Sequence, residues 1–417
     1  MDGALDPSGS PYPVEVATRY VDFGVVARAR TRGGRLFALR GSTSLLDHDH
    51  AYGDTPEDDR HATAFTEASL TGTNGRHNWV VGAAFQRDVC RSRDLPDFDY
   101  THSVPALFVQ NGVTLSPALI LSAGARLDAH NRYGTFVSPR LSGLLRLHRW
   151  TVRASAGIGR FAPTLFTEEA EAVGLSRVAP PRGLRAERAR SASLGVGHEL
   201  GSLEFNATLY AASIEDAVAA VPAEGRAFLR GAPTAGGGIF AHVNQTDPAR
   251  TWGGDLRVRY GRERLHVTGI YAYSRATESA FECLRRLAVE AELDFPCEEQ
   301  SRREVPRTPL HSAGALVGWE DEARGRVGID LRYVGRQELE DDPFRTVSRR
   351  YLVFDVFVER RLGRARVFLN GNNLLDARQT RWSPLLRRDR SPQGKWTTDV
   401  WAPLEGRVFS GGVRLSL

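Results

Sequence analysis

The 417-residue sequence holds no run of 18 apolar residues, one lysine (Lys395), one methionine and three cysteines. Without a long apolar run, no transmembrane helix fits. Arginine therefore carries nearly all of the positive charge. The 50 acidic residues interleave with the 55 basic ones, leaving a net charge of only +5. No basic block with interleaved aromatics emerges, so a nucleic-acid partner is not expected. The opening MDGALDPSGSPYP has neither an apolar core nor a cleavage site, so a secretory leader is not expected in this stretch. Helical periodicity is also missing, with no convincing amphipathic helix of 12 or more residues. The hydrophobic share of 41% excludes a chain disordered by composition.

What the sequence has is alternation. From Arg326 to Val334, Val327, Ile329, Leu331 and Tyr333 share one face, while Arg326, Gly328, Asp330 and Arg332 share the other. The stretch Leu119 to Asp128 repeats the pattern, as do Leu203 to Ala211 and Thr151 to Ile158. Strands of a soluble sandwich usually run about 5–6 residues. These run roughly 10–14, the length that crosses a bilayer at a tilt.

Seventeen such segments can be placed between about 14–30 and about 406–417, with 35–47 and 62–73 flanking a polar loop at 48–61. Their connections alternate long and short from end to end. The short ones centre on residues such as Gly33, Gly201 and Gly363, and the long ones include 163–187, 277–307 and 376–405. Short periplasmic turns alternating with longer extracellular loops mark a transmembrane antiparallel β-barrel of the outer membrane. The fold class expected is all-β. An odd count is unexpected, because bacterial single-chain barrels have even counts. Either the first strands belong to a segment absent from this chain, or a short strand near 238–244 has been overlooked.

Several local motifs then resemble the C-terminal barrel of TonB-dependent outer-membrane receptors. Phe161-Ala162-Pro163-Thr164-Leu165-Phe166 ends one strand as that family does. Leu184 to Gly195 resembles the re-entry into the barrel, with Ala186-Glu187 where the family usually has Pro-Glu. Asn373-Leu374-Leu375-Asp376 and Pro403-Leu404-Glu405-Gly406-Arg407 resemble the stretches that close the penultimate strand and open the last. Ser410, Gly412, Leu415 and Leu417 fit the terminal assembly signal, although that signal often ends in Phe. The resemblance implies that residues 1–417 are a receptor barrel domain of about 22 strands, with the plug and first strands absent. It also implies uptake of a scarce nutrient such as a ferric siderophore or cobalamin. The partners implied are outer-membrane lipid, the TonB complex through the plug, and an extracellular small molecule. A monomer without a cofactor is expected. The rivals are a passive porin-like channel and, less favoured, an outer-membrane β-barrel enzyme. No nucleophile elbow or recognisable triad supports the last.

Candidate site residues follow from placement. Asp255, Arg257, Arg259, Arg326, Asp330 and Arg332 alternate onto the polar face and are expected to line the lumen. Cys283 and Cys297 share one loop in an oxidising compartment, where a loop-closing disulfide is expected. His48, His50 and His61 lie in the acidic loop DHDHAYGDTPEDDRH and are weak candidates for a metal, since no spacing there is diagnostic. Trp79, Trp150, Trp319, Tyr271 and Tyr273 suit an interfacial aromatic girdle. Arginines of the long loops, among them Arg302 and Arg303, suit an anionic chelate or lipid phosphates.

Overall fold

Extended backbone leaves its N–H and C=O groups pointing sideways, so each alternating segment needs a neighbour on both edges. The computed structural model supplies these neighbours. It describes all residues except 1–3, 6–10, 13, 53–54, 165–174, 182, 224–238, 280–301, 341, 389–396 and 416–417. Among the described residues there is no α-helix.

Seventeen long strands carry the fold. They begin with β1 (Val14–Arg30), β2 (Leu36–Tyr52), β3 (Thr55–Asn74), β4 (His77–Ser92), β5 (Tyr100–Ser116) and β6 (Leu119–His130). Next come β7 (Gly134–Leu147), β8 (Trp150–Phe161), β9 (Glu187–Leu200), β10 (Leu203–Glu215), β11 (Ala249–Arg262) and β12 (Leu265–Ser279). The last five are β13 (His311–Asp321), β14 (Gly325–Val334), β15 (Tyr351–Leu362), β16 (Ala365–Asn372) and β17 (Val408–Leu415). Every expected segment is a strand. The short strand Ile239–Asn244 also exists, but it pairs with Val218–Ala223 in a separate two-stranded sheet and adds nothing to the count.

The strand order is that of a barrel wall, each strand lying beside the next from β1 to β17. Each strand is held antiparallel to the next in sequence. With seventeen strands in antiparallel series, β1 and β17 must run in the same direction. No antiparallel register joins those two among the described residues. Residues 15–30 of β1 are exposed throughout, and β17 is exposed at all but one position.

Short turns and long connections alternate as expected. Gly201 and Gly363 adopt φ of 60° and 62° in their tight turns, a left-handed conformation that costs glycine least. One boundary differs. Residues 48–61 are not a loose loop, because β2 and β3 continue as a hairpin to Tyr52 and Thr55, with Asp49 opposite Asp58. A strand pair made mostly of polar residues shows no apolar alternation, so sequence alone reads it as loop.

Register sorts the side chains onto two faces. On the apolar face Val327, Ile329 and Leu331 sit between Trp319, Val317 and Ala315 of β13 and Val358, Val356 and Phe354 of β15. Trp79, Trp150 and Trp319 all lie at the short-turn ends of their strands, a depth suited to one belt. Trp79 packs flat against Gly72, where an added Cβ would come within 2.5 Å of the ring.

Candidate functional site

The polar face is organised by ion pairs across strands. Arg326 lies opposite Glu359 and donates to it at 3.3 Å, and Arg366 donates to the same carboxylate at 3.1 Å. Asp330 lies opposite Asp355, two like charges that would repel. Arg332 bridges them, at 2.5 Å from Asp355 and 3.5 Å from Asp330. Arg257 donates to Glu204 at 3.0 Å, while Arg259 stands opposite Glu204 and Asp255 opposite Thr208. All six residues singled out from the alternation therefore occupy one face. Most work as mutual neutralisation, which reduces their reach toward a solute.

At the loop end the polar face carries a cluster that alternation alone does not reveal. His61, Cys90 and Tyr100 stand side by side across β3, β4 and β5. The His61 Nε2 lies 2.5 Å from Asp88 and 3.3 Å from the Tyr100 hydroxyl. The Tyr100 ring stacks on His102 at 4.5 Å, and His102 meets His130 edge-on at 4.8 Å. His48 bonds Asp59 at 3.1 Å and stacks on His50 at 4.9 Å. Two of the three weak metal candidates thus have carboxylate partners in different places. Among the described residues no group of three or more His, Cys, Asp or Glu is placed to hold a metal ion.

Residues 175–181 cross over this cluster. Glu57 is buried and accepts hydrogen bonds from the Leu175 N–H at 2.6 Å and from Ser176. Arg132 donates to the Pro181 carbonyl at 3.1 Å, and the Tyr133 hydroxyl to the Pro163 carbonyl at 3.0 Å. Leu175 and Val178 pack on Cys90, Phe98 and Tyr100 in a small apolar core. A bilayer is crossed in about 9–11 strand residues. Counted from the short-turn end, Cys90, His102 and His130 all lie past that length. Burial pushes the Cys90 thiol up to about 12. Burial also lowers His102 and His130 below the ordinary imidazole value; the neighbouring His130 and Arg132 lower His102 further, against an opposing pull from Asp88.

The remaining expectations divide. Asn373, from the motif that closes the penultimate strand, bonds both Ala377 and the Glu405 carbonyl, and Arg407 donates to the Leu374 carbonyl at 2.8 Å. The two motifs clasp the base of the last long loop. Ser410 and Gly412 share the polar face, where Ser410 accepts from Asn370 at 3.1 Å; Leu415 is exposed on the apolar face. Leu417, Cys283 and Cys297 lie outside the described residues. Arg303 is held between Glu278 and Glu340 at 2.9 and 2.8 Å, an internal role that leaves it little for an anion.

A family model described as TonB dependent receptor-like, beta-barrel, matches residues 12–374. The chain belongs to this family of TonB-dependent receptor-like β-barrels. Solved structures of such receptors share its fold. The siderophore receptor PirA from Pseudomonas aeruginosa superposes with a TM-score of 0.66 at 14% identity, covering 88% of this chain and 62% of that one. The FrpB iron transporter from Neisseria meningitidis gives 0.67 at 16% identity, covering 97% and 64%. The copper transporter OprC gives 0.69 at 15% identity, covering 97% and 66%. This receptor-like chain therefore spans just under two thirds of the length of these structures. A comparison with curated protein sequences gives no match. The family is one of transport receptors, and its barrels reside in the outer membrane.

Proposed function

We propose that the chain forms the wall of an outer-membrane receptor that takes up a scarce nutrient, a ferric siderophore or cobalamin, with energy relayed by TonB. The family match over residues 12–374 carries this reading. The polar face, with Asp255, Arg257, Arg259, Arg326, Asp330 and Arg332, lines the lumen, and the apolar face meets lipid. The short turns then face the periplasm and the His/Tyr cluster faces the medium.

The plug and further strands belong outside this chain. Receptor barrels of this kind have about 22 strands and a plugged lumen. Only an odd number of additional strands joins two edges that run in the same direction by antiparallel pairing, and a second copy of this sheet does not, because its edges share that direction. The match of copper, iron and siderophore structures to one fold leaves the ligand open to metal chelates generally. The test is uptake of radiolabelled ferric siderophore and cobalamin by iron-starved cells with and without the gene. Uptake that disappears with the gene and with an uncoupler of the proton gradient supports the receptor. Uptake indifferent to the uncoupler supports a passive channel instead.

A further inference from the structure

The eight short turns hold only 20 residues, yet they carry seven arginines and two glutamates. Seven less two is +5, the net charge of the whole chain, so all the rest balances to zero. At the long-loop end, arginines have carboxylates beside them. Arg60 lies 2.5 Å from Asp47, Arg93 2.7 Å from Asp58 and Arg185 2.6 Å from Asp216. At the short-turn end, Arg149, Arg262, Arg360 and Arg364 have no ion pair among the described residues. Asp321 is buried there, approached by Arg264 at 3.1 Å and Arg324 at 3.9 Å.

Register brings three of these exposed arginines to the apolar face at the depth of the tryptophans. Arg262 of β11 lies opposite Leu265, and Leu265 opposite Trp319, so one row across the strands joins them. Two strand spacings set the Cα of Arg262 about 10 Å from that of Trp319. Val327 and Val358 continue the row. Arg360 follows Val358 one step nearer the turn, opposite Gly325 and Val367. Arg35 holds its guanidinium 5.7 Å from the ring of Trp79, which is itself packed against Gly72.

We propose that this rim binds the headgroups of anionic phospholipids, such as phosphatidylglycerol, in the leaflet at the short-turn end. Tryptophans settle at the boundary between hydrocarbon and headgroups. Arginines at the same depth lay their stems along the apolar surface and reach phosphate with the guanidinium. The fork of donors fits two phosphate oxygens at once. A soluble acidic partner would meet the turn tips, whereas Arg35, Arg262 and Arg360 stand on the side facing the bilayer. Arg262 and Arg360 also lie away from both edges of the wall, on the face opposite the lumen. The proposal rests on the apolar face meeting lipid and the short turns facing the periplasm.

The receptor is taken for the test from outer membranes of cells that produce it, in discs of styrene–maleic acid copolymer. Mass spectrometry then gives the ratio of phosphatidylglycerol to phosphatidylethanolamine in the discs and in the surrounding membrane. Phosphatidylglycerol should be enriched in the discs. R35Q with R262Q and R360Q should lower the enrichment by about fivefold, the worth of roughly one surface charge per headgroup. Lysine at the same three positions should keep most of it, because the charge stays and only the fork is lost. R60Q, at the long-loop end, should change nothing.

No enrichment around the unaltered chain, or one that survives the triple glutamine variant, overturns the lipid surface. Loss of the lipid in inorganic phosphate, but not in chloride of equal ionic strength, makes free phosphate the ligand and overturns it too. So does an acidic protein that co-purifies in place of lipid and is released by the same variant. G33C, read by peptide mapping after an impermeant maleimide, separates this failure from that of the receptor reading. Labelling in intact cells overturns the periplasmic placement of the turns. Labelling only after the outer membrane is permeabilised, with no lipid enrichment, overturns the lipid surface alone. A chain missing from the outer membrane overturns both.

Discussion

The Glu57 carboxylate accepts from the Ser176 backbone N–H at 3.0 Å and from its hydroxyl at 2.5 Å, joining positions 119 residues apart. This contact ties the segment after β8 across the face of β3 to β5. Glu57→Ala leaves those donors, and the Leu175 N–H, without their acceptor. The expected cost is about 1–3 kcal/mol of local stability, the penalty for buried polar groups left unpaired. Hydrogen exchange should accelerate at 175–178 while the strands stay protected. Unchanged exchange there would show that the apolar core alone holds the segment.

Facing can be checked at adjacent residues. Ile329 lies in the apolar belt between Val317 and Val356, and Gly328 lies opposite Gly318 and Phe357 on the polar face. Arg at 329 should cost about 2–4 kcal/mol if that residue meets lipid near the midplane. Arg at 328 should cost less, since a Cβ there meets nothing closer than 3.9 Å. Reversible folding into vesicles measures both. Equal losses would sink the assignment of faces.

Cys90 is fully buried and its thiol is pushed up to about 12, chiefly by desolvation. The thiolate is the reactive form. In the folded chain Cys90 should therefore resist a maleimide at pH 7.5, and it should react promptly in denaturant. Labelling without denaturant at the rate of a free thiol would contradict the packing of Leu175 and Val178 over it.

His102 and His130 titrate below the ordinary imidazole value of 6.5 in the folded chain, with burial the main cause. The unfolded chain then takes up protons first as pH falls, so their contribution to stability is present above pH 6.5 and lost below it. Protection of the Tyr133 region from hydrogen exchange should decline as the medium is taken from pH 7 to about 5. His102→Asn should flatten that decline. A pH-independent exchange profile would remove the two imidazoles from the account.

Much of this protein is legible in one dimension. A strand displays its two faces to any reader who takes alternate residues, so the seventeen segments, the short turns at Gly201 and Gly363, and the common face of Arg326, Asp330 and Arg332 could all be read from local order. The hairpin at 48–61 could not, because the residues on its covered face, among them His48, His50, Glu57 and Asp59, are polar and show no apolar alternation. Tertiary structure alone decided which residues meet. His61, Cys90 and Tyr100 become neighbours through two ladder registers, and Glu57 meets Ser176 only because a long connection folds back over the sheet. Alternation depends on each residue's own backbone, whereas register and loop docking are set by which distant groups satisfy one another.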